Sequence, residues 1–261
     1  MTSDEQAPDE RAPDRQMRDK QTLRRQLRTQ RRSRAPERDR NADAKAIAAA
    51  AGAFLDTLFL NTLFLPPSGA GEHSAYGRRP WVAIYRALPT EPPTQALAEM
   101  LHSRDVSVIV PEMLPDKDLD WHELRPDGSQ GPRLGADAIA SALVILTPAL
   151  AVDHQGARLG QGGGSYDRAL ARRHPDAVLV AIVNDEEYAA WPLPREPHDV
   201  RVNAVITPGT GFSSIAPAEP QSYPPTEPRS HSPTEPPSHP PAKPAAHSPT
   251  EPRSHPGQLR G

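Results

Sequence analysis

Gly156-Ala157-Arg158-Leu159-Gly160-Gln161-Gly162-Gly163-Gly164-Ser165-Tyr166-Asp167-Arg168 is the stretch on which the reading of this 261-residue chain turns. An apolar run, Ile145-Leu146-Thr147-Pro148-Ala149-Leu150-Ala151-Val152, precedes it, and Ala169-Leu170 follow. The pattern predicts a strand, a glycine-rich turn and a helix over Gly163–Arg173. Glycines let the backbone bend tightly and aim N–H groups at a ligand. The helix points its positive end at the same place. Together these features make an anion site, for which phosphate is the usual occupant. Arg158 adds a fixed positive charge. Asp167 is either a magnesium ligand or a helix-start carboxylate that satisfies the dipole. The spacing is neither a Walker loop nor a GxGxxG dinucleotide loop.

Working outward, buried strands and amphipathic helices alternate. Trp81–Tyr85, Val106–Val110, Leu143–Leu146, Val178–Val183 and Val202–Ile206 read as strands. Thr94–Ser103 reads as a helix with Leu97 and Leu101 facing inward, and Ala136–Ser141 as a short one. Pro111 to Pro132 reads as a long loop, with a short strand near Trp121. Towards the N-terminus, a basic helix from about Lys20 to Arg34 ends at Pro36. A second helix runs from about Asp39, with Ala46, Ile47, Ala50, Phe54 and Leu58 on one face. The expected fold is α/β: a three-layer βαβ sandwich with a mostly parallel sheet and N-terminal helices. Ligands of such sheets bind at the carboxyl ends of the strands.

Composition sets the limits. Thirty-three prolines are too many for one compact domain, and they crowd the region after Pro217. Four proline-rich octads from Pro225 carry His231, His239, His247 and His255, spaced roughly 25 Å apart on an extended chain. The expected organisation is therefore a disordered 1–17, a domain over 18–210 and a disordered Pro/His/Ser tail over 211–261. The absence of cysteine excludes thiolate catalysis, disulfides and zinc–thiolate sites. A formal charge of −3 and few aromatics argue against a nucleic-acid partner. Ala46–Leu65 approaches the length of a membrane span, but Asp56 and Asn61 interrupt it, so it reads as a buried helix. Thr57-Leu58-Phe59-Leu60 recurs as Thr62-Leu63-Phe64-Leu65, without a functional account. The chain is expected to be a cytoplasmic monomer with no membrane partner.

RLGQGGGSYDR closely resembles the signature of the 5-formyltetrahydrofolate cyclo-ligases, the methenyltetrahydrofolate synthetases. The resemblance extends over about Lys20 to Pro208. It implies ATP and Mg2+ as cofactors and 5-formyltetrahydrofolate as substrate. Lys20 and Arg24, four apart on one helix face, match the family's pair for the ATP phosphates; the alternative is a solvated basic face. Arg158, Leu159, Gly160, Gln161, Gly162, Gly163, Gly164, Ser165 and Tyr166 match the nucleotide loop. Gln161 to Ser165 also match substrate contacts, as do Arg86 and Glu91. In Thr90-Glu91-Pro92-Pro93-Thr94, Glu91 is either an acceptor for the pterin N–H groups or a helix-start acid beside a Thr cap. Pro197-His198-Asp199 matches the family's acidic turn, which would make Asp199 a magnesium ligand with Asp167. Arg158, Tyr166 and Asp167 are the expected catalytic residues.

Some positions depart from the family pattern. Gln161 stands where many relatives carry Arg or Lys, Ser165 where many carry Tyr, and Asn203 where many carry Asp. Arg125–Arg133 is short and lacks the family's Glu-Pro. The resemblance implies that the formyl oxygen attacks the γ-phosphorus of ATP, and that N10 then closes the ring as phosphate leaves. The protein would mostly position and neutralise. The alternative is a catalytically weakened nucleotide- or folate-binding homologue with a shortened substrate loop.

Overall fold

The five expected strands lie side by side because each is apolar on both faces. In the computed structural model, which describes residues 12–64, 80–196 and 199–216, they form the middle of an eight-stranded sheet. Along the chain the strands are β1 (Trp81–Ala83), β2 (Ser107–Met113), β3 (Leu119–Leu124), β4 (Gln130–Arg133), β5 (Ala142–Pro148), β6 (Ala151–Asp153), β7 (Arg158–Leu159), β8 (Val178–Ile182), β9 (Tyr188–Ala189), β10 (Ala204–Thr207) and β11 (Gly211–Ser214). The order across the large sheet is β11-β10-β8-β5-β1-β2-β3-β4. From β10 to β2 every pairing is parallel, whereas β11, β3 and β4 are antiparallel additions at the two edges. A second, three-stranded sheet has the order β7-β6-β9.

Side chains alternate between the faces with period two, as pleating requires. Val144, Leu146, Val180 and Ile182 pack on one face against Ile47, Ala51 and Leu55 of α2 (Arg40–Phe64) and Leu97 and Leu101 of α3 (Gln95–Ser103). Ala142, Ile145, Leu179, Ala181 and Val183 pack on the other, with Ile139 of a 3-10 turn and Ala169 and Leu170 of α4 (Ser165–Ala171). These are the three expected layers. The buried stripe of α2 is centred on Ile47, Ala51 and Leu55; Ala50, Phe54 and Leu58 sit at its margin. Among the described residues no helix is long and apolar enough to cross a membrane.

Three boundaries differ from the sequence reading. The basic helix α1 spans Ala12–Arg34, so order begins before residue 18. Pro13 stands in its first turn, where a missing N–H costs nothing. The segment expected as a loop with a short strand near Trp121, 111–132, contains that strand as β3 and is a β-meander in which β2 pairs with β3 and β3 with β4. Its mixed polar composition hid the pattern, since only Leu119, Asp120 and Trp121 of β3 are buried. At the far end the domain does not stop at residue 210. The turn Thr207–Gly211 returns the chain into β11, whose Phe212 stacks on Phe54 with ring centroids 4.5 Å apart. The proline-rich octads, His198 and the end of the Thr-Leu-Phe-Leu duplication lie outside the described residues.

α1 is fastened to this body by a buried ion pair. Arg31 Nε and Nη2 each lie 2.6 Å from an oxygen of Glu187, and both side chains are less than 5% exposed. Glu187 Oε2 also accepts the Asn184 N–H at 2.9 Å. Removing one partner of such a pair strands a buried charge. Arg31→Ala should therefore lower unfolding free energy by about 3–5 kcal/mol in urea titrations, and Glu187→Ala by a similar amount. The double variant should lose clearly less than the sum; strict additivity would show that the two side chains do not act as a pair. A chain ending after Ala216 should melt like the full protein. One ending after Thr210 should lose about 2–3 kcal/mol, a drop of roughly 5–10 °C, and equal melting of the two would contradict the placement of β11.

Candidate active site

The carboxyl ends of β1, β2 and β5 and the glycine turn before α4 surround a cavity of about 260 Å3. β1 leads into Tyr85 and Arg86, β2 contributes Pro111 and Met113, and Pro148 and Ala149 close β5. This is where a doubly wound sheet collects its ligands. One wall is apolar: Leu88, Pro111, Met113 and Leu119. The rest of the lining includes the loop from Gly160 to Gly164 with Arg158, Ser165, Tyr166 and Asp167.

The loop bends because its glycines take conformations that other residues resist. Gly162 has φ +95° and lies against the Arg24 side chain. Gly164 has φ +70° and caps α4. No N–H from Gln161 to Gly164 has an acceptor among the described residues.

Arg158 is buried. Its Nη2 donates to Asp167, its guanidinium lies 5.9 Å from the centroid of the Tyr166 ring, and its Nε has no hydrogen-bond partner among the described residues. The Tyr166 hydroxyl is likewise buried and has no partner among the described residues. Burial pushes the Tyr166 phenol far above its ordinary range, and the nearby Glu91 carboxylate raises it further, while Arg158 opposes both. Glu91 is 4% exposed, and one carboxylate oxygen accepts the Leu88 N–H at 3.0 Å. The Thr94 hydroxyl donates to the Tyr85 carbonyl at 2.9 Å and does not cap α3, so Glu91 is not a helix-start acid beside a Thr cap. Burial likewise pushes the Tyr85 hydroxyl well up; it donates to the Pro92 carbonyl at 2.7 Å and so holds the turn carrying Glu91.

The structure therefore brings together Arg86, Glu91, Arg158, Gly160 to Ser165, Tyr166 and Asp167. It places the other expected residues elsewhere. Arg24 reaches the loop from α1, Lys20 reaches Glu196 and Asp199, and neither lines the cavity. Lys20 Nζ lies 2.7 Å from Asp199 and 3.0 Å from Glu196; Arg24 Nε donates to the Gly160 carbonyl at 3.1 Å. Leu159 packs in a small core with Leu27 and Leu150. Asn203 exchanges hydrogen bonds with Leu179 at the amino end of β8, at the opposite edge of the sheet from the cavity, so a missing acid there takes nothing from the site. The short turn Arg125–Ser129 borders a second cavity of about 420 Å3, and Asp127 is tied to Ser129 within it.

Both expected metal ligands already hold a cation, Asp167 through Arg158 and Asp199 through Lys20. Among the described residues no three His, Cys, Asp or Glu side chains converge as a metal cage. Magnesium beside phosphate needs only one or two carboxylates. Asp167, on the cavity wall, fits that need; Asp199, on the α1 side, does not line the cavity. The buried orphan atoms of Arg158 and Tyr166 and the unpaired loop N–H groups fit an anion.

Sequence reasoning missed Tyr85, Leu88, Met113 and Leu119. The last two flank a hairpin read as loop. It also missed Arg28, whose Nε donates to Gln161 Oε1 at 2.9 Å.

Comparison with known proteins agrees with this geometry. The profile of the 5-formyltetrahydrofolate cyclo-ligase family matches residues 69–208. A 5-formyltetrahydrofolate cyclo-ligase of Mycolicibacterium smegmatis is 33% identical over 186 residues, 62% of this chain and 95% of that protein. One from Escherichia coli K12 is 41% identical over 66 residues, 25% of this chain and 36% of that protein. Among solved structures, a 5,10-methenyltetrahydrofolate synthetase from Mycoplasma pneumoniae superposes with a TM-score of 0.51 at 17% identity, covering 72% of this chain and 97% of its own. One from Aquifex aeolicus gives a TM-score of 0.51 at 19% identity, over 81% and 99%. The fold, the glycine loop and these matches together place the chain in the 5-formyltetrahydrofolate cyclo-ligase family, a family of ligases.

Proposed function

We propose that the protein converts 5-formyltetrahydrofolate to 5,10-methenyltetrahydrofolate with ATP and magnesium. The observation that carries this reading is the pairing, across one cavity, of an apolar wall with a glycine loop whose N–H groups are unengaged and whose Arg158 and Tyr166 keep buried polar atoms without partners. An aromatic folate suits the first and a transferring phosphoryl group the second.

MgATP, when bound, would supply the phosphoryl group that turns the formyl oxygen into a leaving group. Arg158, Asp167 and the loop N–H groups would hold it, with Lys20 and Arg24 offsetting charge once they exchange their present partners. Glu91 orients the pterin through an oxygen held by the Leu88 N–H. Tyr166 presents a neutral hydroxyl, because burial and Glu91 disfavour the phenolate. Asp167 keeps the Arg158 guanidinium over the Tyr166 ring. Leu88, Met113 and Leu119 exclude water from one side. The short Arg125–Ser129 turn borders the second cavity, which shares Tyr85 and Arg86 with the first, so turnover itself decides between an active enzyme and the weakened homologue.

The test is ATP-dependent growth of the methenyl near-ultraviolet band, against a control without ATP. Asp167→Ala and Arg158→Ala should each lower kcat/KM by about 100-fold or more. Glu91→Gln should raise the folate KM with a smaller effect on kcat. Folded wild-type protein that gives no band but is stabilised thermally by ATP or folate would identify the binding-only homologue.

The Tyr166 shift also sets a pH expectation. Its ordinary value is about 10, and the folded value lies above it, so the phenol is neutral in both states below about pH 10. Alkaline loss of stability through this group begins only above that, when the unfolded chain alone ionises. Activity should show no Tyr166 limb between about pH 7 and about pH 9.5. An alkaline limb in that window which disappears in Tyr166→Phe would contradict the assignment.

A further inference from the structure

The carbonyl groups of the glycine loop are held by arginines that do not line the cavity. Arg24 Nε donates to the Gly160 carbonyl at 3.1 Å. Arg28 Nη2 donates to the Gln161 carbonyl, while its Nε holds the Gln161 side chain at 2.9 Å. On the far side of the loop, Arg168 Nη2 reaches the Gly163 carbonyl at 3.4 Å and the Lys117 carbonyl at 2.6 Å. Three carbonyls of one short segment are thus drawn away from the cavity, towards α1 and the β2–β3 hairpin. A peptide plane is rigid, so turning its C=O outward turns the N–H of the next residue inward. The N–H groups of Gly162 and Gly164 are the ones fixed by the Gln161 and Gly163 carbonyls.

We infer that Arg28 is a positioning residue for phosphate binding: it clamps Gln161 by both its side chain and its backbone, and so aims the Gly162 N–H at the anion. This rests on the ATP-dependent reading above. Arg28 is suited to the task because a guanidinium presents several donors in a fixed fork. An ammonium at the same place cannot span two oxygens with that geometry. The position of Arg28 follows from the helix. It stands four residues beyond Arg24 and three before Arg31, so the buried Arg31–Glu187 pair sets its height over the loop. The departure at Gln161 takes on a meaning here: an amide oxygen at this site accepts from Arg28, where a basic side chain would repel it.

The test compares Arg28→Ala, Arg28→Lys and Arg25→Ala in full-length protein. Arg25 is an exposed base on the same helix whose side chain makes no hydrogen bond among the described residues. Arg28→Ala should raise the KM for ATP by about tenfold and leave the folate KM within about twofold. Arg28→Lys should fail to restore it, and Arg25→Ala should behave like wild type. Arg168→Ala should shift the ATP KM in the same direction by a separate contact. Thermal unfolding of each variant separates loss of fold from loss of aim, and if Arg28→Ala unfolds, Arg28→Gln replaces it. An unchanged ATP KM in Arg28→Ala would overturn the inference, as would full rescue by Arg28→Lys, which would reduce Arg28 to a surface charge. A wild-type protein without ATP turnover would sink the proposed function instead, so the two failures are distinguishable.

Discussion

The site depends on where α1 lies, and α1 is held by the Arg31–Glu187 pair. A basic helix with little apolar surface has few ways to dock: of its described side chains only Lys20, Leu27 and Arg31 are buried. Burial of Arg31 is tolerable because Glu187 matches its fork, and Glu187 in turn is fixed by the Asn184 N–H. The three acids after Asn184 share the work. Glu187 takes Arg31, Glu186 takes Arg38 and Arg34 at the elbow between the first two helices, and Asp185 accepts from the backbone of Gly209 and Thr210 in the turn before β11. One short segment after β8 thus ties the N-terminal helices and the C-terminal hairpin to the sheet. Every α1 contact with the glycine loop is downstream of that arrangement.

Much of the fold was legible because its signal is dense. Buried parallel strands are continuous apolar runs, and α3 shows Leu97 and Leu101 at helical spacing. Of the meander only a short strand near Trp121 was legible, because β4 lies at the edge and buries little, so neither periodicity nor composition marks the pairing. β11 was lost for a related reason: Gly211-Phe212-Ser213-Ser214 has one large apolar residue, and its partner Phe54 is remote in sequence. Of the site, the glycine loop, Arg158, Tyr166, Asp167, Glu91 and Arg86 were readable from a motif and its neighbours. The clamps were not. Arg28 and Arg31 look like any surface bases until the tertiary partners Gln161 and Glu187 are known, and nothing in the sequence pairs Lys20 with Asp199.

Charge balance joins these observations. The site is internally compensated: Arg158 against Asp167, and Lys20 against Asp199 and Glu196. A buried lysine such as Lys20, 3% exposed, needs such partners, because an unpaired buried ammonium is costly. On the proposed reading a polyphosphate takes over some of these cations. On that reading the released Asp167 carboxylate then gains the metal, so phosphate and magnesium favour each other. The exchange leaves Arg31–Glu187 untouched, since that pair lies outside the cavity and supports the helix from its other end. A helix anchored at one end, with exchangeable partners along the rest, can regroup its cations without losing its place. The same arrangement explains why the Gly160 carbonyl faces α1: it occupies Arg24 with a neutral acceptor, which a phosphate outcompetes more readily than it would a carboxylate, while Arg28 keeps its hold on Gln161.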